Sequence, residues 1–215
     1  MNKNKSFILP MFPLGVVAFP GENLNLHIFE PRYKQLLTEC EATGQPFGIP
    51  AFIEKKLMPV GTEMELLAIE KIYDNGEMDV KTRGIGLFQI NDFFPKYNEK
   101  LYAAAEVRRI DFDTDSNLMV NQKLYEYVYE LFDVLNISKP LPKLDENFNT
   151  YLIGHQVGFN IEQEYEFLQI TLEGDRQLFM MTHLERLIPL VREMHRLQER
   201  AKLNGHFKHL GGADF

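Results

Sequence analysis

The sequence predicts an α+β fold in which a strand-rich first part precedes a helical second part. Hydrophobic residues repeat with a period of two over the first half, and near Asp113 the period lengthens to between three and four. With 215 residues, of which 45% are hydrophobic, the chain can bury one large core or two small ones. The change of period divides it into a β-barrel domain, residues 1–113, and a helical domain, residues 114–215.

Within the first part, Phe47, Ile49, Ala51 and Ile53 alternate with their neighbours, as do Leu101, Ala103, Ala105 and Val107. Alternation of this kind marks half-buried strands. Asp74-Asn75-Gly76 is a tight-turn signal, because Asn and Gly tolerate positive φ, so the runs 64–73 and 77–83 are expected to pair as an antiparallel hairpin. One helix is inserted among the strands. Pro31 suits a first helical position, Tyr33, Leu36, Leu37 and Cys40 share a face, and Gly44 supplies a terminator. This helix is expected to plug or flank a small barrel.

Four helices are expected in the second part. Ser116 is the expected cap of a helix with the apolar line Leu124, Val128, Leu131, Leu135, and the Pro140-Leu141-Pro142 segment ends that helix. A second is expected from about Asp145, with Phe148, Leu152, His155 and Phe159 on one face. A third begins near Asn160, where Gln163 completes a capping box. The last begins near Asp175 and carries Met180, Leu184, Leu187, Val191 and Met194 at spacings of four and three. Short connections would gather these helices into a bundle.

Composition narrows the functional classes. The formal charge of −8 is unevenly spread, with 13 basic and 14 acidic residues in 1–110 against 10 and 17 in 111–215. An acidic surface repels phosphate backbones, which argues against nucleic acid as a partner. No apolar run approaches the length of a membrane span, and the opening MNKNKSFILPMFPLG is too short and proline-broken for a signal peptide, so a cytoplasmic location is expected. The single Cys40 sits at core spacing and reads as a small buried hydrophobe.

No constellation of residues points to catalysis, and no metal or cofactor is expected. His183-Leu184-Glu185 matches the H-x-E fragment of zinc deaminases, but the P-C-x-x-C partner is missing. His206 and His209 lie three apart without two further ligands. Asp111, Asp113 and Asp115 alternate like a calcium loop but lack its glycine and its closing glutamate. Arg192, Arg196 and Arg200 form an i, i+4 row that the carboxyl end of a helix favours in its own right.

A family resemblance rests on Leu9-Pro10-Met11-Phe12-Pro13-Leu14-Gly15, then Phe19-Pro20-Gly21, then Leu26-His27-Ile28-Phe29-Glu30-Pro31-Arg32-Tyr33. Together these segments resemble the opening signature of the Lon protease amino-terminal, substrate-binding domain. Gly61-Thr62, the Asp74–Gly76 turn, Gly84 through Phe88 and Ile90, and the stretch from Leu152 to Arg176 are similar to later parts of that family. The resemblance implies a PUA-like pseudo β-barrel with one inserted helix, followed by a four-helix C-terminal bundle. It also implies recognition of unfolded or exposed protein segments. The sequence contains neither a G-x-x-x-x-G-K-[ST] phosphate loop nor a proteolytic Ser-Lys domain, so a free-standing, non-enzymatic binding module is expected. RNA binding is the alternative, because PUA-like barrels elsewhere bind RNA, though the acidic balance opposes it.

Within the signature, Phe12, Leu14, Phe19, Leu26 and Ile28 read as barrel closure, and Pro13, Pro20 and Gly21 as turns. Glu30, Pro31, Arg32 and Tyr33 read as a helix start in which an ion pair braces helix against barrel, and His27 as a partly buried strand histidine with satisfied nitrogens. Candidate peptide contacts are Phe93 and Phe94, where Pro95 breaks the alternation, and Leu57 and Met58 in a loop behind Lys55-Lys56.

Overall fold

The computed structural model describes the backbone of residues 5–209 and the side chains of residues 5–198 and 200. Strands β1 (Phe7–Met11), β2 (Asn23–Ile28), β3 (Phe47–Ile53), β4 (Lys56–Ile72), β5 (Met78–Phe94) and β6 (Ala103–Ile110) make one sheet in the order β2-β5-β4-β3-β1-β6. A further β5–β6 pairing closes five of the strands into a ring. Strand β5 makes this closure possible by changing partner along its length: residues 78–83 pair with β2 and residues 87–94 with β6. At 17 residues each, β4 and β5 would run about 55 Å if flat. Register shifts at Glu63/Met64, Leu66/Ala68, Ile69/Lys71 and Ile90/Asp92 interrupt the ladders and bend the strands round.

The expected hairpin forms: Ile72 pairs with Met78, and Gly76 holds φ +74° in the turn. Ala103, Ala105 and Val107 lie on β6, but Leu101 falls before it and is exposed. The inserted helix α1 (Pro31–Thr43) starts at Pro31 and buries Tyr33, Leu36, Leu37 and Cys40. Gly44 ends it at φ +69°, donating its N–H to the Cys40 carbonyl. The buried face of α1 shares a core with Ile28, Phe47, Ile49, Met64 and Val80, so the helix packs against the strand layer.

The second part departs from the expected four helices. Helix α2 (Leu118–Leu135) is capped by Asn117, whose side chain accepts from the N–H groups of Met119 and Val120. Ser116, the expected cap, instead donates to the Phe148 carbonyl. The expected second helix is a 3-10 helix, Thr150–Gln156. It buries Tyr151, Ile153 and Gly154; of the expected line Phe148, Leu152, His155 and Phe159, Phe148 is buried, Leu152 and Phe159 are half-buried and His155 is exposed. Gly154 disfavours an α-helix, and no run of α-helical residues flanks the segment to extend it. Helix α3 (Ile161–Gln169) has the expected capping box between Asn160 and Gln163. Helix α4 (Glu173–His209) starts two residues earlier than expected; Met180 and Leu184 are buried, whereas Met194 is 59% exposed.

All six strands precede residue 111 and α2 to α4 follow residue 117, yet the largest apolar cluster draws on both sides. Val17, Phe19, Ala51 and Leu87 from the strand side meet Leu124, Val128, Phe167 and Met180 from the helices. Phe19 is the centre of this contact, with its ring 5.7 Å from that of Tyr151 and 5.6 Å from that of Phe167. Gly154 permits the approach, since a Cβ there would sit 2.5 Å from a Phe19 ring carbon. Replacing Gly154 with Val is therefore expected to lower stability by about 1–3 kcal/mol through overpacking. The urea midpoint checks it, and an unchanged midpoint would show that the 3-10 helix does not press on Phe19.

Candidate functional site

An ion pair with no exposed side-chain surface sets the position of the helices. The Glu173 carboxylate accepts from Arg176 at 2.6 and 3.0 Å and from the Thr150 N–H at 2.8 Å and its hydroxyl at 3.1 Å. Arg176 also donates to the carbonyls of Ile170, at 2.7 Å, and Asp113, and its guanidinium lies 4.0 Å over the Tyr151 ring. The Tyr151 hydroxyl in turn donates to the Leu168 and Ile170 carbonyls at 2.9 and 3.1 Å. Four stretches of chain thus meet at one charge pair: the 113 linker, the 3-10 helix, the α3–α4 turn and the first turn of α4. Burial pushes the pKa of Glu173 up, and the Arg176 guanidinium and the Thr150 hydrogen bonds oppose that shift.

A second contact joins the strand side to α3. His155 lies between Glu164 at 2.6 Å and Glu22 at 3.2 Å, with its ring against Phe19 at 4.7 Å. Burial disfavours the charged imidazole, but the hydrogen bonds to Glu164 and Glu22 outweigh that, and its pKa is raised to about 9. Over the intervening β5, Arg109 grips the buried Glu63 carboxylate with two bonds of 2.7 Å, tying β6 to β4.

With α3 and α4 fixed in this way, an open groove of 860 Å³ remains between them. Ile170, Phe179, Leu187 and His183 line it, and Leu178 and Leu190 stand on its α4 side at 64% and 63% exposure. Behind the lining, Phe159 packs on Phe179 at 5.5 Å and on His183 at 4.5 Å, giving an aromatic wall. Burial pushes the pKa of His183 down, and its Nε2 faces the Val157 carbonyl at 3.1 Å, so the neutral ring donates there. Glu166, Asp175 and Arg186 supply charge at the groove.

The residues singled out in the sequence are not gathered at this groove. Leu57 and Met58 belong to β4 rather than to a loop; both are half-buried, and Met58 packs on the shared core. Phe93 and Phe94 end β5 just past its Ile90/Asp92 register shift, which is where alternation fails. Phe93 is half-buried against the cluster of Leu9, Met11 and Phe88, while the ring of Phe94 lies 6.1 Å from that of Tyr97. His27 has both nitrogens occupied, by Asp79 at 2.7 Å and Glu77 at 3.1 Å, but its side chain is 49% exposed rather than partly buried, because its strand turns it to the outer face. Glu30 and Arg32 pair at 2.7 Å within the start of α1, and the Arg32 guanidinium lies over the adjacent Tyr33 ring at 4.5 Å. That pair closes on itself locally instead of reaching from helix to barrel.

Cys40 is buried, and its thiol is pushed up to about 12 by burial. Asp113 is drawn into the Arg176 contact through its backbone carbonyl, and the Asp113 side chain accepts from the Asp115 N–H. Arg192 reaches Glu130 and Arg196 reaches Glu193. His206 and His209 lie outside the residues whose side chains are described. The groove escaped sequence reading because Leu178 and Leu190 have the same residue type as the core leucines; only their place on the α4 helical wheel, away from Met180 and Leu184, separates them.

Two outcomes are expected. Arg176→Met leaves Glu173 buried without its counter-ion and should cost about 3–5 kcal/mol, while adding Glu173→Gln should recover part of the loss. Urea midpoints of both variants measure this, and a single-variant loss below about 1 kcal/mol would contradict it. For His155, the raised pKa makes its contribution to stability full below about pH 6.5 and lost as pH rises through about 9. His155→Gln should therefore flatten the decline in thermal midpoint between pH 6.5 and 9.5, and a decline identical to the parent's would exclude the contact as its source.

Residues 8–188 match the family model of the ATP-dependent protease La (LON) substrate-binding domain. Among solved structures, the chain is similar to a Lon N-terminal domain protein from Xanthomonas campestris, at a TM-score of 0.62 and 21% identity over 82% of this chain and 98% of that one. It is also similar to the N-terminal domain of Mycobacterium avium complex Lon protease, at a TM-score of 0.59 and 12% identity over 83% and 98%. Comparison with curated proteins returns no match. These likenesses establish the α+β fold, and because the family match spans well over half of the sequence, the protein belongs to the Lon substrate-binding domain family.

Proposed function

We propose that the chain is a non-catalytic module that binds exposed or unfolded segments of other proteins, and that the α3–α4 groove receives them. The observation that carries this reading is the groove itself. Leu178 and Leu190 hold apolar surface in water beside Ile170, Phe179 and Leu187, and such surface is costly unless something covers it. Membership of a substrate-binding family supports reading that surface as a docking site. In this reading the strand-rich residues 1–113 are a rigid support and residues 114–215 carry the docking surface. Leu57, Met58, Phe93 and Phe94, none of them fully buried, are retained as auxiliary contacts.

Without nucleotide, the purified protein is expected to bind a reduced, unfolded casein-like protein and leave it uncut. Leu178→Asp combined with Leu190→Asp should weaken binding at least about tenfold, while stability changes by no more than about 0.5 kcal/mol per exposed site. Anisotropy titrations beside urea midpoints test both statements. ATP-stimulated cleavage would overturn the non-catalytic reading, and unchanged affinity in the double variant would move the site elsewhere. Phe93→Ser with Phe94→Ser, compared at equal folded fraction, then decides whether those rings take part.

A further inference from the structure

Resting on the reading of the groove as a protein-binding site, we propose that its preferred occupant is an amphipathic helix with an acidic amino-terminal turn and a basic carboxyl-terminal turn, lying antiparallel to α4. Both walls of the groove are α-helices whose interior backbone groups bond within the helix, so neither offers a ladder to an extended strand. An occupant must therefore satisfy its own backbone groups, and among regular segments only a helix does so while laying an apolar face on Leu178, Phe179 and Leu190. From Asp175 to Leu190 the groove follows α4 for about 22 Å, the length of a helix of four turns. The apolar surface continues past it, with Met194 at 59% and Leu197 at 54% exposure, four and three residues further along α4.

Charge sets the direction. Asp175 stands at the start of α4 with Glu166 across the groove on α3, and Arg186 stands three turns further along α4. Among the described residues none of the three side chains has an ion-pair or hydrogen-bond partner. A basic turn near Asp175 and Glu166 and an acidic turn near Arg186 would complement them. Antiparallel placement puts that basic turn at the occupant's carboxyl end and the acidic turn at its amino end, where each also complements the occupant's own dipole.

The test uses the full chain and two synthetic helical peptides of about 16 residues, matched in apolar residues and in measured helicity. One peptide carries Glu in its first turn and Lys in its last, and its twin reverses these. The first is expected to bind roughly tenfold tighter than the twin at low salt, and the gap should narrow as salt rises. Glu166→Lys with Asp175→Lys should erase or invert the preference, whereas Leu178→Asp should weaken both peptides alike. Equal binding of the twins, with no effect of the charge swap, overturns the proposed polarity but leaves groove binding intact. Binding of unfolded casein-like protein, blocked by Leu178→Asp, without binding of either peptide overturns the helical occupant alone. Failure to bind all three probes overturns the underlying function. Dimers in sedimentation that Leu178→Asp dissolves would show a second copy in the groove and overturn the proposal.

Discussion

The buried Glu173–Arg176 pair is the constraint on which the arrangement of the helices depends. A charge pair removed from water is tolerated only when its remaining hydrogen-bonding capacity is met, and here it is met by backbone groups from three other stretches of chain. The Ile170 and Asp113 carbonyls and the Thr150 N–H are therefore held relative to one another by groups that cannot be left unpaired. Tyr151 adds a face for the guanidinium and a hydroxyl for the α3–α4 turn, so moving any one element exposes the others to an unsatisfied polar group. The pair and its partners thereby define one arrangement of these elements.

That definition reaches the groove through the α3–α4 turn. Arg176 holds Ile170 at the end of α3 and Glu173 begins α4, so the angle between the two groove walls is set at the same point. On the opposite side of α3, the contact of His155 with Glu164 and Glu22 ties that helix to the loop before β2. The strand ring, stiffened by Arg109 on Glu63, then serves as the platform. A groove held in this way needs no ordering of its own before a segment docks, so it would keep the entropy that a mobile surface loses on binding.

Much of this fold was legible in the residues because it is written locally. Alternation marks β3, Asp74-Asn75-Gly76 marks the β4–β5 turn, Pro31 and Gly44 bracket α1, and Asn160 with Gln163 starts α3. Each of these signals works within a few residues of itself. The 3-10 helix was misread because its short apolar run fits a four-three spacing on paper, while Gly154 and the pressure of Phe19 select the tighter turn. The loop expected at Leu57 and Met58 is a strand because β3 supplies a partner, and pairing of that kind leaves no mark in the strand's own sequence.

The residues alone determined the class of fold, its strand-then-helix order, the family signature around His27 to Tyr33 and the burial of Cys40, since all of these follow from short-range periodicity and side-chain type. Which charges are buried and which leucines are left in water was decided only by tertiary structure. Glu173 and Arg176, three apart on a helix, look from sequence like any exposed surface pair, and they become the hub because Asp113, 63 residues earlier, is brought onto them. Leu178 and Leu190 share the residue type of the core leucines, yet they stand in water at 64% and 63% exposure on a face of α4 away from Met180 and Leu184. Burial is a property of what arrives from elsewhere in the chain, and no local pattern encodes that arrival.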